Sequence, residues 1–124
     1  MERVVTLSWL LLAAIHALPA MVLFVPSLAE RLYGTPPSGD IGILLVHRGA
    51  LFLAVLAASV MAAFHSPSRQ LASMIVAISM LTFLWLFLRG GSPASLRTIF
   101  LADLVGLAPL ALVCWDAWSR PVRG

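Results

Sequence analysis

The stretch LLVHRGALFLAV, Leu44–Val55, sets a histidine and an arginine side by side inside an otherwise apolar run. The run extends well beyond the pair, from Ile41 to Phe64, and a bilayer-crossing helix needs about 20 mostly apolar residues. Three more stretches meet that requirement: Val4 to Val25, Leu71 to Leu88 and Ile99 to Trp118. The segments between them, PSLAERLYGTPPSGD, HSPSR and RGGSPASLR, carry the Pro, Gly and Ser of loops. The expected fold is therefore all-α, one domain over residues 1–124, with four transmembrane helices running up-down-up-down.

Composition agrees. Of the 124 residues, 61% are hydrophobic and 10% charged, far from the balance of a soluble domain. No segment has the wide charged face that a water-exposed helix needs. The formal charge of +3 comes from arginines spread along the chain, which form no patch for nucleic acid. Cys114 is the single cysteine, so an intrachain disulfide and a cysteine metal cluster are both excluded. The first apolar run is longer than the core of a signal peptide and no A-x-A site follows it, so it reads as a retained span.

An even number of spans puts both termini on one side. Arg3, Arg69, Arg120 and Arg123 fall on that side, against Arg31, Arg89 and Arg97 on the other, a balance that favours cytoplasmic termini by one residue. Trp9, Trp115 and Trp118 would form an aromatic belt at the terminal side, with Tyr33 and Trp85 at the other. SLAERLYG reads either as a short amphipathic helix on the membrane surface, ended by Gly34, or as an ordinary exposed loop. Ala50, Ala54, Ala58 and Ala62 recur every fourth residue and suggest a close-packing seam that makes the second span the centre of the bundle. Gly106 with Ala102 offers a weaker seam, and Pro19 and Pro109 each remove a backbone donor inside a span.

Arg or Asp near the bilayer centre costs about 2.5–3.5 kcal/mol. Counting inward from the loop-bearing side at about 1.5 Å per residue places Asp103 about 6 Å deep, His47 and Thr82 about 9 Å, Arg48 about 10 Å, and His16 and Ser79 about 13 Å. All four helices thus bring a polar group to one layer, and an Arg48–Asp103 ion pair is the expected organising contact. His47 shares its helix face with Ala50 and Ala54, whereas Arg48 lies with Leu44 and Leu51. His65, Asp116, Arg89 and Arg97 read as ordinary interfacial residues.

Three readings of the layer compete. It is a structural clamp fixing helix register, or a site where Arg48 binds an anionic or carbonyl group and a histidine exchanges a proton. Alternatively, His16 and His47 ligate haem, or hold zinc or copper with Asp103. The two histidines have no diagnostic spacing, so no metal or cofactor is expected, and no arrangement singles out a catalysed reaction. The implied partners are the lipid bilayer, a small lipid-soluble ligand, and a homo-oligomer or larger membrane complex in which the chain is an accessory subunit.

With RLYG in the first loop, HRGALF in the second span, SMLTFL in the third, and Arg97 six residues before Asp103 entering the fourth, the chain resembles a group of small bacterial four-helix membrane proteins. They are similar in architecture to DoxX-type proteins, and some carry the name phosphopantetheine adenylyltransferase. The resemblance implies the fold and a bacterial inner membrane. No strand, phosphate loop and helix unit for nucleotidyl transfer is present in the sequence.

Overall fold

The computed structural model describes residues 1–120; Arg123, counted above with the terminal-side arginines, lies outside the described residues. The described chain is helical, with no strand. Helix α1 (Glu2–Ala20) runs into a 3-10 turn (Met21–Leu23), followed by the short α2 (Leu28–Tyr33), then α3 (Gly39–Phe64), α4 (Arg69–Arg89) and α5 (Arg97–Ser119). With their flanking turns, α1, α3, α4 and α5 are each long and apolar enough to cross a membrane. They form a four-helix bundle in which α1 packs on α3, α3 on α4, α4 on α5, and α5 back on α1.

The lipid-facing character is visible in what stays outside. Leu7, Ile43, Leu44, Leu71, Ile78, Leu88 and Val105 are all exposed, a display of apolar surface that water would penalise and hydrocarbon does not. The interior holds Val5, Trp9, Leu12, Val76, Met80 and Val113. Two expected belt aromatics go inward instead: Trp9 is fully buried and Tyr33 nearly so, while Trp85, Trp115 and Trp118 remain exposed. The helix-forming reading of SLAERLYG holds. Gly34 ends α2 in the left-handed conformation, at φ 69°, with its N–H donated to the Glu30 carbonyl. Ala29 and Tyr33 of α2 pack with Val22, Leu45, Leu96 and Ile99, so α2 covers the loop-bearing end of the bundle.

The expected seam on α3 is corrected. Ala54 is exposed and Ala50 and Ala58 only half-buried; of the alanine series, only Ala62 is fully enclosed. The packed face instead carries Gly42, Gly49, Val55, Ser59, Ala62 and Ala63. A Cβ at Gly49 would stand 2.7 Å from the Leu23 backbone nitrogen, so glycine there lets α3 close on the end of α1. The consequence is that α3 is the least buried of the four spans and α1 the most, the reverse of the expected centre. Gly106 does pack tightly, its added Cβ meeting Met80 and Ile15, but Ala102 beside it is exposed. Beyond Pro19, α1 gives way to the 3-10 turn at Met21.

At the terminal end, one arginine ties all four spans. Arg69, the first residue of α4, is buried. Its Nη2 donates to Oε1 of Glu2 on α1, and its Nη1 to Oδ2 of Asp116 on α5 at 3.3 Å. Its Nε donates to the Ala62 carbonyl at 3.0 Å, and Nη2 also reaches the Ala63 carbonyl at 3.5 Å. Those carbonyls belong to the last turn of α3, where helical acceptors lose their partners, and the residue four after Ala63 is Pro67, which has no N–H to give. Arg120 adds contacts to Asp116 Oδ1 at 3.0 Å and to Glu2 Oε2 at 3.8 Å. Around this clasp, Gln70 donates to the Ala117 carbonyl and Trp118 Nε1 to Ser73 Oγ, stitching α4 to α5.

Removing one member of a buried ion pair leaves the other uncompensated, at about 3–5 kcal/mol. Arg69→Leu is therefore expected to lower the thermal unfolding temperature in detergent far more than Arg89→Leu, whose side chain is exposed. The double variant Arg69→Leu with Asp116→Leu should lose less than the sum of the two singles. Additive losses would show that the two side chains are not coupled.

Candidate functional site

The residues expected to form one polar layer separate into three environments. Arg48, Ser79 and Thr82 come together in a groove of about 340 Å³ between α3 and α4, lined otherwise by Leu51, Phe52, Val55, Ile75, Ile78, Phe83 and Leu86. These ten positions recur at helical spacing, Arg48, Leu51, Phe52 and Val55 on α3 and Ile75, Ile78, Ser79, Thr82, Phe83 and Leu86 on α4, so one face of each helix forms a wall. Thr82 is exposed at the groove, and Arg48 and Ser79 are half-buried.

His16 is elsewhere. It is buried in the bundle, where its Nδ1 donates to the Leu12 carbonyl one turn earlier at 2.7 Å, and its ring lies 5.8 Å from that of Phe52. This contact satisfies a histidine inside its own helix. His47 is exposed on the outer surface of α3, beside Ala54, and does not join a buried layer. The expectation failed because the seam runs through Gly49 rather than through the alanines, which rotates His47 outward. With His16 inside and His47 outside, the two do not meet as a buried ligand pair. Among the described residues, no group of three or more His, Cys, Asp and Glu side chains is arranged to hold a metal ion.

Asp103 is buried on α5, but the expected ion pair with Arg48 does not form: among the described residues, the arginine–carboxylate contacts within 4.0 Å are those of Arg69 and Arg120. Arg48 and Asp103 belong to helices that are not neighbours in the ring, since α3 packs on α1 and α4. The guanidinium finds aromatic rings instead. Its central carbon lies 4.8 Å from the ring centre of Phe52, 5.4 Å from Tyr33 and 5.9 Å from Phe83. Three elements, α2, α3 and α4, thus build an aromatic cage around one cation, an arrangement favourable by about 0.5–2 kcal/mol per well-placed ring. Rings accept no strong hydrogen bond, and Nε of Arg48 is buried without a partner, as is the hydroxyl of Tyr33.

Tyr33, Phe52 and Phe83 are the site residues that sequence reasoning missed. Phe52 and Phe83 were present as ordinary apolar residues of their spans, and only the offset of Phe52 one turn after Arg48 hinted at contact. Tyr33 had no such signal, because α2 lies fifteen residues before Arg48 and its return onto α3 is tertiary. No protein-family model, curated protein or solved structure matches the chain. The class that the fold defines is thus a small, all-helical, multi-pass membrane protein.

Because Arg48 makes no hydrogen bond within the described residues, exchanging it for an apolar side chain relieves an unsatisfied donor while forfeiting the ring contacts. Arg48→Leu is expected to shift the unfolding temperature little in either direction. A loss matching that of Arg69→Leu would mean that Arg48, too, holds the bundle together.

Proposed function

We propose that this chain is a multi-pass protein of a bacterial inner membrane, with its termini in the cytoplasm, that binds a small amphiphilic or lipid-soluble molecule in the groove between α3 and α4. The observation that carries this reading is a groove of about 340 Å³ with an arginine at its wall whose Nε is buried and unpartnered. Pockets for small molecules are mostly apolar with a few placed polar groups, and Arg48, Ser79 and Thr82 among seven apolar residues match that pattern. An arginine retained at membrane depth without a protein carboxylate is costly, which favours a use for it. The resemblance of the RLYG and HRGALF stretches to small bacterial membrane proteins supports the location, and the arginine balance supports the orientation.

Mass spectrometry of organic extracts from the purified protein tests this. Wild-type protein is expected to carry a small amphiphile that is depleted in Ile78→Trp, where a larger ring fills the groove. Equal recovery from both proteins would overturn the reading.

A second reading, an accessory subunit of a larger membrane assembly, is favoured by a different surface. His47 and Ala54 are exposed on α3 with Ala50 half-buried beside them, so small residues face outward where another helix would approach closely. Ala54→Cys in native membranes should then form cross-links to another protein. Labelling by lipid-soluble reagents alone would count against an accessory role.

A further inference from the structure

Resting on the groove-binding reading, we infer that the occupant is a single-chain amphiphile with an oxyanion head, a carboxylate or a phosphate, drawn from the leaflet on the loop-bearing side. The chemistry of Arg48 selects the head. Tyr33, Phe52 and Phe83 surround the guanidinium at 4.8–5.9 Å and stabilise a cation without accepting its hydrogen bonds. Nε is left buried and bare. The two Nη atoms, which are not enclosed and make no hydrogen bond within the described residues, form the end of the guanidinium that grips an oxyanion through two parallel bonds, and such bonds are about twice as strong as neutral ones. A carbonyl or hydroxyl head offers that end a single oxygen and no negative charge. Asp103 senses the charge of Arg48 but makes no contact with it within 4.0 Å, so no carboxylate among the described residues occupies its hydrogen-bond donors.

The axis of the groove selects the rest of the molecule. From Arg48 to Val55 it covers about 10 Å of α3, and from Ile75 to Leu86 about 16 Å of α4, at 1.5 Å per residue. Arg48 on α3 and Thr82 on α4 lie nearer the loop-bearing end, Ser79 stands at the middle of α4, and Val55 and Ile75 close the opposite, apolar end. A lipid of the loop-side leaflet has the same polarity, head outward and tail toward the midplane, so it enters without inverting. With Ile78 and Leu51 exposed at its walls, the groove is open to lipid from the side. At about 340 Å³ it holds one medium-length alkyl chain rather than the two chains of a phospholipid.

The test uses the full-length protein in nanodiscs of phosphatidylcholine, with bound ligand counted by native mass spectrometry. The probes are dodecanoate, dodecyl phosphate and dodecanol. At least one anion is expected to bind with about tenfold or greater preference over the alcohol, a difference worth about 1.4 kcal/mol. Binding of both anions supports the shared oxyanion chemistry, and binding of one identifies the headgroup. Arg48→Gln should abolish the preference. Arg48→Lys, which keeps the charge but lacks the two-donor end, should retain part of it and guards against a folding defect in the glutamine variant. Ile78→Trp should exclude all three probes. If dodecanol binds as well as the anions and Arg48→Gln changes nothing while Ile78→Trp still blocks binding, the oxyanion inference fails and the groove reading stands. If no probe binds, or Ile78→Trp has no effect on binding, both fail.

Discussion

The bundle depends on a buried guanidinium finding its acceptors. Arg69 opens α4 at the end of a helix where the backbone dipole is already positive, so its charge is unwelcome there unless anions come close. Glu2 and Asp116 supply them, from α1 and α5, and the remaining donors turn to the Ala62 and Ala63 carbonyls at the end of α3. Asp116 has the mirror problem, a carboxylate in the last turn of α5, which Arg69 and Arg120 resolve. Arg69 and Asp116 are poorly placed with respect to the dipoles of their own helices, and Arg69 finds its full set of acceptors only when the four helices meet. That makes the clasp a device of arrangement as well as of stability: no pair of helices satisfies it alone.

Arg48 shows the opposite solution to the same problem. It lies deeper, on the least buried span, and is held by aromatic rings rather than by carboxylates. The two arginines divide the work. One is saturated with protein acceptors at the terminal end of the bundle, and the other keeps an unmade bond beside a lipid-facing groove near the loop-bearing end. Helix α2 links the groove to the rest of the fold, because Tyr33 packs into the same end-cap as Val22 while its ring stands against Arg48. The close approach at Gly49 brings the end of α1 against α3 one residue after Arg48, so the cage and the seam are set by neighbouring positions.

Much of this was legible in advance. The spans lie within a few residues of their expected limits, α2 ends at Gly34 as its sequence suggests, and Gly106 does mark a close contact. The principle that an arginine among apolar helices seeks a carboxylate on a neighbour was sound, but the pair was not Arg48 with Asp103. Depth counting placed both at similar levels and was blind to rotation: it could not tell that α3 and α5 are not adjacent in the ring. Asp116 reads as an ordinary interfacial residue and Arg69 enters only the charge balance of the terminal side, because each sits at the edge of its apolar run, where a charge is normally solvated. His47 was placed inward on the strength of the alanine repeat, which the structure turns toward lipid.

Sequence alone determined what is local and one-dimensional: the apolar lengths, the breakers between them, the glycine that stops α2 and the resulting all-helical, membrane-compatible class. Those features follow from hydrocarbon thickness and backbone conformation, which act on each segment by itself. Tertiary structure alone decided which face of each helix turns inward, hence which arginine is saturated and which left with a free edge. In lipid, both faces of a span are apolar, so hydrophobicity does not choose between them; close packing at Gly49 and the few polar contacts do.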